Sequence, residues 1–185
     1  EKLPLTQADV TINGWAIESR IYAEDPYRNF LPSVGRLTRY SPPAEQATPE
    51  LVVRNDTGVA DGGEISTFYD PMIAKLCTWA PTRIEAIDAM EVALDEFELE
   101  GVGNNIPFLS AVMAQQRFRD GRLTTGYIAE EFPNGFNGVE LDADSLTHLA
   151  ALACTSAFAV DKRAFAATPE PRAVLINGRR WDFSV

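Results

Sequence analysis

Three charged side chains stand in segments that are otherwise apolar or strand-like. Arg20 lies inside an alternating run, four residues before Glu24-Asp25. Arg54 ends the Leu51-Val52-Val53 stretch, and Asp70 lies between Phe68-Tyr69 and Pro71-Met72-Ile73. A guanidinium stays charged and offers a rigid fork of donors, so Arg20 can hold an anion or stabilise an oxyanion as it develops. On that reading Asp70 orients a neighbour or accepts an N–H. The plainer reading is a set of structural ion pairs or exposed edge charges, and the pattern alone leaves both open. Other chemistry is sparse. There is no GxxxxGK[ST] phosphate loop. His148 is alone in an Ala-rich stretch, and Cys77 and Cys154 are far apart. That set lacks the spacing of a zinc site, so no metal centre is expected. The two thiols read as buried free cysteines of a reducing compartment.

The elements that must position these residues divide the chain into regions. The first 80 residues read as sheet. From Trp15 to Tyr22 the residues alternate, with Trp15, Ile17, Ser19 and Ile21 on one face and Ala16, Glu18, Arg20 and Tyr22 on the other. Short strands are expected at 36–40, 51–54 and 63–68, separated by the Pro42-Pro43 and Pro49 loop and by Asn55–Gly58 and Asp61–Gly63. Met72–Trp79 reads as a buried strand. The next 60 residues read as helical. Thr82 and Glu85 form a capping box, followed by Ile84, Ile87, Met90, Leu94 and Phe97 at helical spacing, with Gly101 as the stop. Asn105 with Pro107 opens a second helix that Gly121 closes, and a third runs from about Thr125 to Phe132. After Pro133-Asn134-Gly135 come a long helix over 142–166 and a hairpin around Asn177-Gly178.

The chain has 185 residues, 45% apolar and 23% charged, which suits a globular domain and argues against disorder. Its net charge is −11, and residues 1–100 carry 8 basic against 18 acidic groups. Such a surface repels nucleic acid and anionic membranes, so neither is an expected partner. No apolar run approaches the ~20 residues of a membrane span. No signal peptide is visible. With no initiator Met and a hairpin still opening at its end, the chain is expected to be a piece of a longer protein.

Three motifs carry a resemblance. The first is Glu18-Ser19-Arg20-Ile21-Tyr22-Ala23-Glu24-Asp25-Pro26, continued by Phe30-Leu31-Pro32-Ser33 and Gly35-Arg36-Leu37-Thr38-Arg39-Tyr40. The second is Tyr69-Asp70-Pro71-Met72-Ile73-Ala74-Lys75-Leu76. The third runs from Ala93-Leu94-Asp95-Glu96-Phe97 to Asn104-Asn105-Ile106-Pro107-Phe108-Leu109. In order and spacing these resemble the C-terminal domain of biotin carboxylases over about residues 14–132. Tyr22 in its IYAEDPYRNFLPS setting and Phe132-Pro133-Asn134-Gly135-Phe136 resemble most the α subunits of propionyl-CoA carboxylases. Methylcrotonyl-CoA and acetyl-CoA carboxylase subunits are the alternative relatives.

The resemblance implies an α+β fold, mainly antiparallel sheet with packed helices over 1–136. Residues 137–185 would begin a domain that links to the carboxyltransferase subunit, as an incomplete helix-plus-β-hairpin module. It implies an ATP-dependent ligase in which ATP and bicarbonate form carboxyphosphate and biotin, on a separate carrier domain, is then carboxylated. Arg20 matches the arginine that stabilises the ureido oxygen of deprotonated biotin. Asp70 matches an aspartate near the biotin pocket, Arg54 an arginine at the carboxylase dimer interface, and Thr125 and Gly126 the border of the adenine pocket. The residues for ATP, Mg2+ and bicarbonate would lie in an ATP-grasp portion before Glu1, and the biotin-accepting lysine after Val185. The implied partners are that ATP-grasp portion, the carrier domain, the carboxyltransferase β subunit and a second carboxylase copy. The isolated chain is expected to be inactive, and its compartment to be a bacterial cytoplasm, or the mitochondrial matrix in a eukaryote. The rival reading is a non-catalytic module for dimerisation and docking.

Overall fold

The computed structural model describes residues 3–66, 68–160, 171–176 and 178–184. The chain divides into two compact units, Glu1–Gly138 and Val139–Val185. In the first, the strands in chain order are β1 (Trp15–Tyr22), β2 (Glu24–Asp25), β3 (Leu31–Pro32), β4 (Gly35–Arg36), β5 (Arg39–Ser41), β6 (Gln46–Ala47), β7 (Val52–Thr57), β8 (Glu64–Ile65), β9 (Met72–Ala80) and β10 (Glu98–Glu100). The helices are α1 (Arg83–Asp95), α2 (Ile106–Ala114), α3 (Gln116–Arg119) and α4 (Tyr127–Glu131). The main sheet has the order β1-β9-β7-β6 with antiparallel pairing throughout, and two-stranded ribbons pair β2 with β3, β4 with β8 and β5 with β10. The fold is α+β, as the motifs imply.

Alternation places β1 as expected. Ile17, Ser19 and Ile21 are buried, while Glu18 and Arg20 are exposed. The strand β9 differs from its reading as a wholly buried element. Ala74, Leu76, Thr78 and Ala80 are buried, but Lys75, Cys77 and Trp79 on the other face are only half-buried. An antiparallel sheet can cover one face and leave the other for solvent or a partner. The covered face packs on α1, whose Ala86, Ile87, Met90, Ala93 and Leu94 are buried. Complete burial of a side chain such as Leu76 or Ile87 contributes roughly 1.5–3 kcal/mol. The Thr78 hydroxyl is buried with them and donates to the Ala86 carbonyl at 2.8 Å, so its polarity is satisfied.

The capping box forms as read. Thr82 Oγ1 accepts from the Glu85 N–H at 3.3 Å, and the Thr82 N–H donates to Glu85 Oε2 at 3.0 Å. The helix ends earlier than expected, at Asp95, and Ile84 is 43% exposed rather than on the core face. Residues 98–100 form β10, so Gly101 does not stop a helix. It turns the chain after a strand, with φ at +103°. The expected single strand at 36–40 is two short ones. β4 pairs with β8 and β5 with β10, because Leu37 is drawn fully into the core where the chain changes partners. Of the expected strand at 63–68, the described residues pair in a ladder at Glu64–Ile65, and Thr67 lies outside the described residues.

In the second unit α5 spans Ala143–Val160, and β11 (Pro171–Ile176) pairs with β12 (Arg179–Ser184). The expected continuation of α5 to 166, and Asn177 of the hairpin turn, lie outside the described residues. Among the described residues no helix is long and apolar enough to cross a membrane.

Candidate functional site

The strand β1 is the edge of the main sheet, so its outer side chains and its free backbone groups are both available. Arg20 projects from the face opposite the core, with its side chain 59% exposed. Its Nε donates to Glu18 Oε1 at 2.9 Å, a pairing that two residues on one strand face allow. This carboxylate contact, with a smaller contribution from the Tyr22 phenol, strengthens the guanidinium's hold on its proton. Neither Nη group has a carboxylate partner among the described residues.

Arg20 and Glu18 line a cleft of about 430 Å3 between β1 and the α2–α4 segment. Ser19, Asn105, Phe108 and Thr125 also line it. The wall that carries Thr125 is held by Arg117. That guanidinium donates to Glu131 at 2.7 Å, pairs with Glu130, and lies 5.1 Å from the centre of the Tyr127 ring. Arg117 in turn holds the Glu130 carboxyl below the usual carboxylate range. Arg119 ties the same segment to α1 through Asp88 and, at 3.3 Å, Glu91. Gly126 is half-buried and immediately precedes α4, next to Thr125.

Asp70 and Arg54 are placed differently. Asp70 is exposed at the entry to β9, and its Oδ1 accepts the Met72 N–H at 3.1 Å. That bond lies within its own turn, and Asp70 is not among the residues lining the cleft. Its charge bears instead on Glu24, whose carboxyl is pushed up first by burial and then by Asp70. Arg54 lies on β7, paired with Asp56 at 3.0 Å. The ladders set Glu18, Cys77 and Arg54 in one cross-strand row and Arg20, Lys75 and Asp56 in the next, all on the face away from α1. The structure thus joins Arg20 with Thr125 at one cleft, and Arg20 with Arg54 on one sheet face. Burial raises the Cys77 thiol, against the opposing pull of Arg54. His148 is exposed on α5. Among the described residues there is no group of three or more His, Cys, Asp or Glu side chains able to hold a metal ion.

Two residues of the cleft escaped the sequence reading. Asn105 reads as a helix opener and does precede α2, but its side chain makes no capping bond. The Ile106 N–H is taken by Asn104 Oδ1 at 3.2 Å. Asn105 is turned to β1, where Oδ1 accepts from the Tyr22 N–H at 2.9 Å and Nδ2 donates to the Arg20 carbonyl at 3.1 Å. Ser19 is 2% exposed, and its hydroxyl has no partner. Nothing in its spacing distinguishes it from a core alternation residue. Asn-Asn before a helix is a signal of sorts, since one cap requires only one asparagine.

The biotin carboxylase C-terminal domain family matches residues 18–130. Propionyl-CoA carboxylase alpha chain of Ruegeria pomeroyi is 60% identical over 168 residues, covering 83% of this chain and 25% of that protein. The mitochondrial propionyl-CoA carboxylase alpha chain of Homo sapiens is 40% identical over 182 residues, covering 97% of this chain and 24% of that one. Among solved structures, the biotin carboxylase domain dimer of Hydrogenobacter thermophilus 2-oxoglutarate carboxylase, in complex with MgADP, ADP and bicarbonate, superposes with a TM-score of 0.68 at 41% identity. It covers 76% of this chain and 30% of that one. The chain therefore spans about a quarter of the length of the curated relatives it matches. With three ordered motifs, an α+β fold and a matched stretch that includes the Arg20 cleft, the chain belongs to the biotin carboxylase family and carries its C-terminal domain.

Proposed function

We propose that this chain is part of the α subunit of a propionyl-CoA carboxylase, and that its first unit supplies one wall of the site where biotin is carboxylated. The observation that carries the reading is Arg20, held by Glu18 through Nε alone, on the wall of the cleft. Biotin, when bound, supplies the ureido nitrogen that takes the carboxyl group and the ureido oxygen on which charge gathers. The Nη donors, which have no carboxylate partner among the described residues, fit that oxygen, since a fixed cation beside developing charge lowers the barrier with no reorganisation. Thr125 and Gly126 would border the adenine pocket, and Asp70 would support the biotin side from the mouth of β9. ATP, Mg2+ and bicarbonate would be held by an ATP-grasp portion outside this chain. The second unit would start the domain that docks on a carboxyltransferase β subunit, and the biotin carrier would be a further domain. The propionyl assignment rests on the 60% identity to the Ruegeria protein. The implied compartment is a bacterial cytoplasm, or the mitochondrial matrix in a eukaryote.

A second role for the same unit is pairing of carboxylase copies through the sheet face that carries Arg54. The dimeric state of the Hydrogenobacter domain favours it. The deciding experiment is Arg20→Ala in the full-length subunit, assayed for bicarbonate-dependent ATP cleavage with and without free biotin. Loss of one oxyanion donor costs about 10²–10³ in kcat, so biotin stimulation should fall by that factor with assembly intact. Undiminished stimulation would make Arg20 structural and leave the assembly role standing.

A further inference from the structure

We infer that Asn105 is the positioning residue for Arg20, a role that rests on the biotin-site reading above. β1 is an edge strand, and on its free side the backbone needs a partner. Asn105 provides one. Its Oδ1 accepts from the Tyr22 N–H at 2.9 Å, its Nδ2 donates to the Arg20 carbonyl at 3.1 Å, and its own N–H donates to the Tyr22 carbonyl at 3.2 Å. The carboxamide thus stands in for a neighbouring strand, presenting one acceptor and one donor to alternate backbone groups.

It does so where the β1–β9 ladder is irregular. Arg20 is opposite Lys75 and Ile21 opposite Ala74, but Tyr22 is opposite Met72, so Ile73 on β9 has no counterpart and the register slips between Ile21 and Tyr22, one residue beyond Arg20. A bulge alters the local twist and re-aims nearby side chains. The Asn105 bonds fix the backbone on both sides of Ile21, and with it the direction in which Arg20 leaves the strand. Asn105 is 7% exposed, so these bonds form away from bulk water, and loss of either leaves a polar backbone group short of its partner. Arg20's own restraints are lighter: its side chain is more than half exposed, and among the described residues Glu18 is its one carboxylate partner, with a smaller contribution from the Tyr22 phenol.

The test uses the full-length subunit and free biotin as the probe. Asn105→Asp keeps an acceptor for the Tyr22 N–H but replaces the donor to the Arg20 carbonyl with a second oxygen. The expected result is a biotin-stimulated kcat for ATP cleavage that falls at least tenfold more than the biotin-independent rate. Arg20→Ala combined with Asn105→Asp should then lose no more stimulation than Arg20→Ala alone, because Asn105 acts through Arg20. A purely structural asparagine would lower both rates in proportion, or add its own loss to the double variant. Either result overturns the inference while Arg20→Ala still abolishes stimulation. Stimulation that survives Arg20→Ala overturns the underlying reading, and the inference with it. If Asn105→Asp does not fold, Asn105→Gln carries the same comparison, since it keeps both amide groups but displaces them by one methylene.

Discussion

Replacing Gly101 by alanine tests whether the chain's path from β10 into the α2 segment is as tightly fixed as the structure indicates. At Gly101 φ is +103°, and an added Cβ would stand 2.2 Å from the Arg36 carbonyl oxygen and 2.7 Å from the Thr38 nitrogen. Both are backbone atoms, so neither can swing aside. Three costs combine. A left-handed conformation costs an L-residue about 1–2 kcal/mol. Forced displacement of packed backbone costs about 1–3 kcal/mol. The Thr38 N–H bond to the Glu100 carbonyl, at 2.9 Å, is strained or lost, at about 0.5–1.5 kcal/mol. The total is about 2.5–6.5 kcal/mol. For a unit of this size the usual unfolding entropy turns that into a fall in Tm of roughly 10–20 °C. Gly135 is the internal control. Its φ is +78°, but nothing lies within 4 Å of an added Cβ, so Gly135→Ala should show only the conformational cost, about 1–2 kcal/mol. Thermal unfolding of both variants by far-ultraviolet circular dichroism separates the terms. Equal shifts at the two glycines would refute the steric argument and place the Gly101 turn in a looser environment.

Two further outcomes are expected. Thr82→Ala removes the Oγ1 acceptor for the Glu85 N–H and should lower stability by about 1 kcal/mol in urea unfolding, whereas Thr82→Ser should be nearly neutral. Glu24 titrates above its ordinary value of 4.5 in the folded chain, because burial and Asp70 both disfavour its charge. The folded state therefore binds more protons than the unfolded state just above that value, and this residue's effect makes stability fall as pH rises through the window. Glu24→Gln should flatten that part of the pH–stability curve, and curves that stay parallel would contradict the assignment.

The legible parts of this fold are those set by short-range physics. Strand β1 was readable because a sheet covered on one face imposes strict alternation, and α1 because its cap lies within four residues. What escaped depends on contacts between distant segments. The stretch at 36–40 has strand residues throughout, but Leu37 is taken into the core, and the partner strand changes from Glu64–Ile65 to Glu98–Glu100. Gly101 is a turn residue under either reading, and only the tertiary path shows that a strand precedes it. The site divides in the same way. Arg20 stood out by its place in an apolar strand, but spacing could not say that Thr125 shares its cleft while Asp70 does not line it. Asn105 opens α2 as its spacing says, but spacing could not show that its side chain turns to β1 while Asn104 accepts the Ile106 N–H.

The order of the main sheet also governs how this unit can be made. β9 is the strand on which both β1 and β7 assemble, and it comes after them in the chain. Trp15 meets Ala80, and even the nearest pair of that ladder joins Tyr22 to Met72. On a ribosome β1 emerges first and has no lasting partner until β9 has followed. Closing so long a loop adds little to the equilibrium cost, since each doubling of length adds only ~0.6 kcal/mol. It does delay the ladder, because distant pairings form after local ones. Through that interval β1 carries an apolar face and an unpaired edge together, which is the combination that invites pairing with another chain. α1 follows β9 after only two residues, so the strand that completes the sheet and the helix that covers it arrive almost together. Synthesis thus passes from an exposed edge to a covered core in one short step, and variants that slow β9 would be expected to accumulate as aggregates rather than as misfolded monomers.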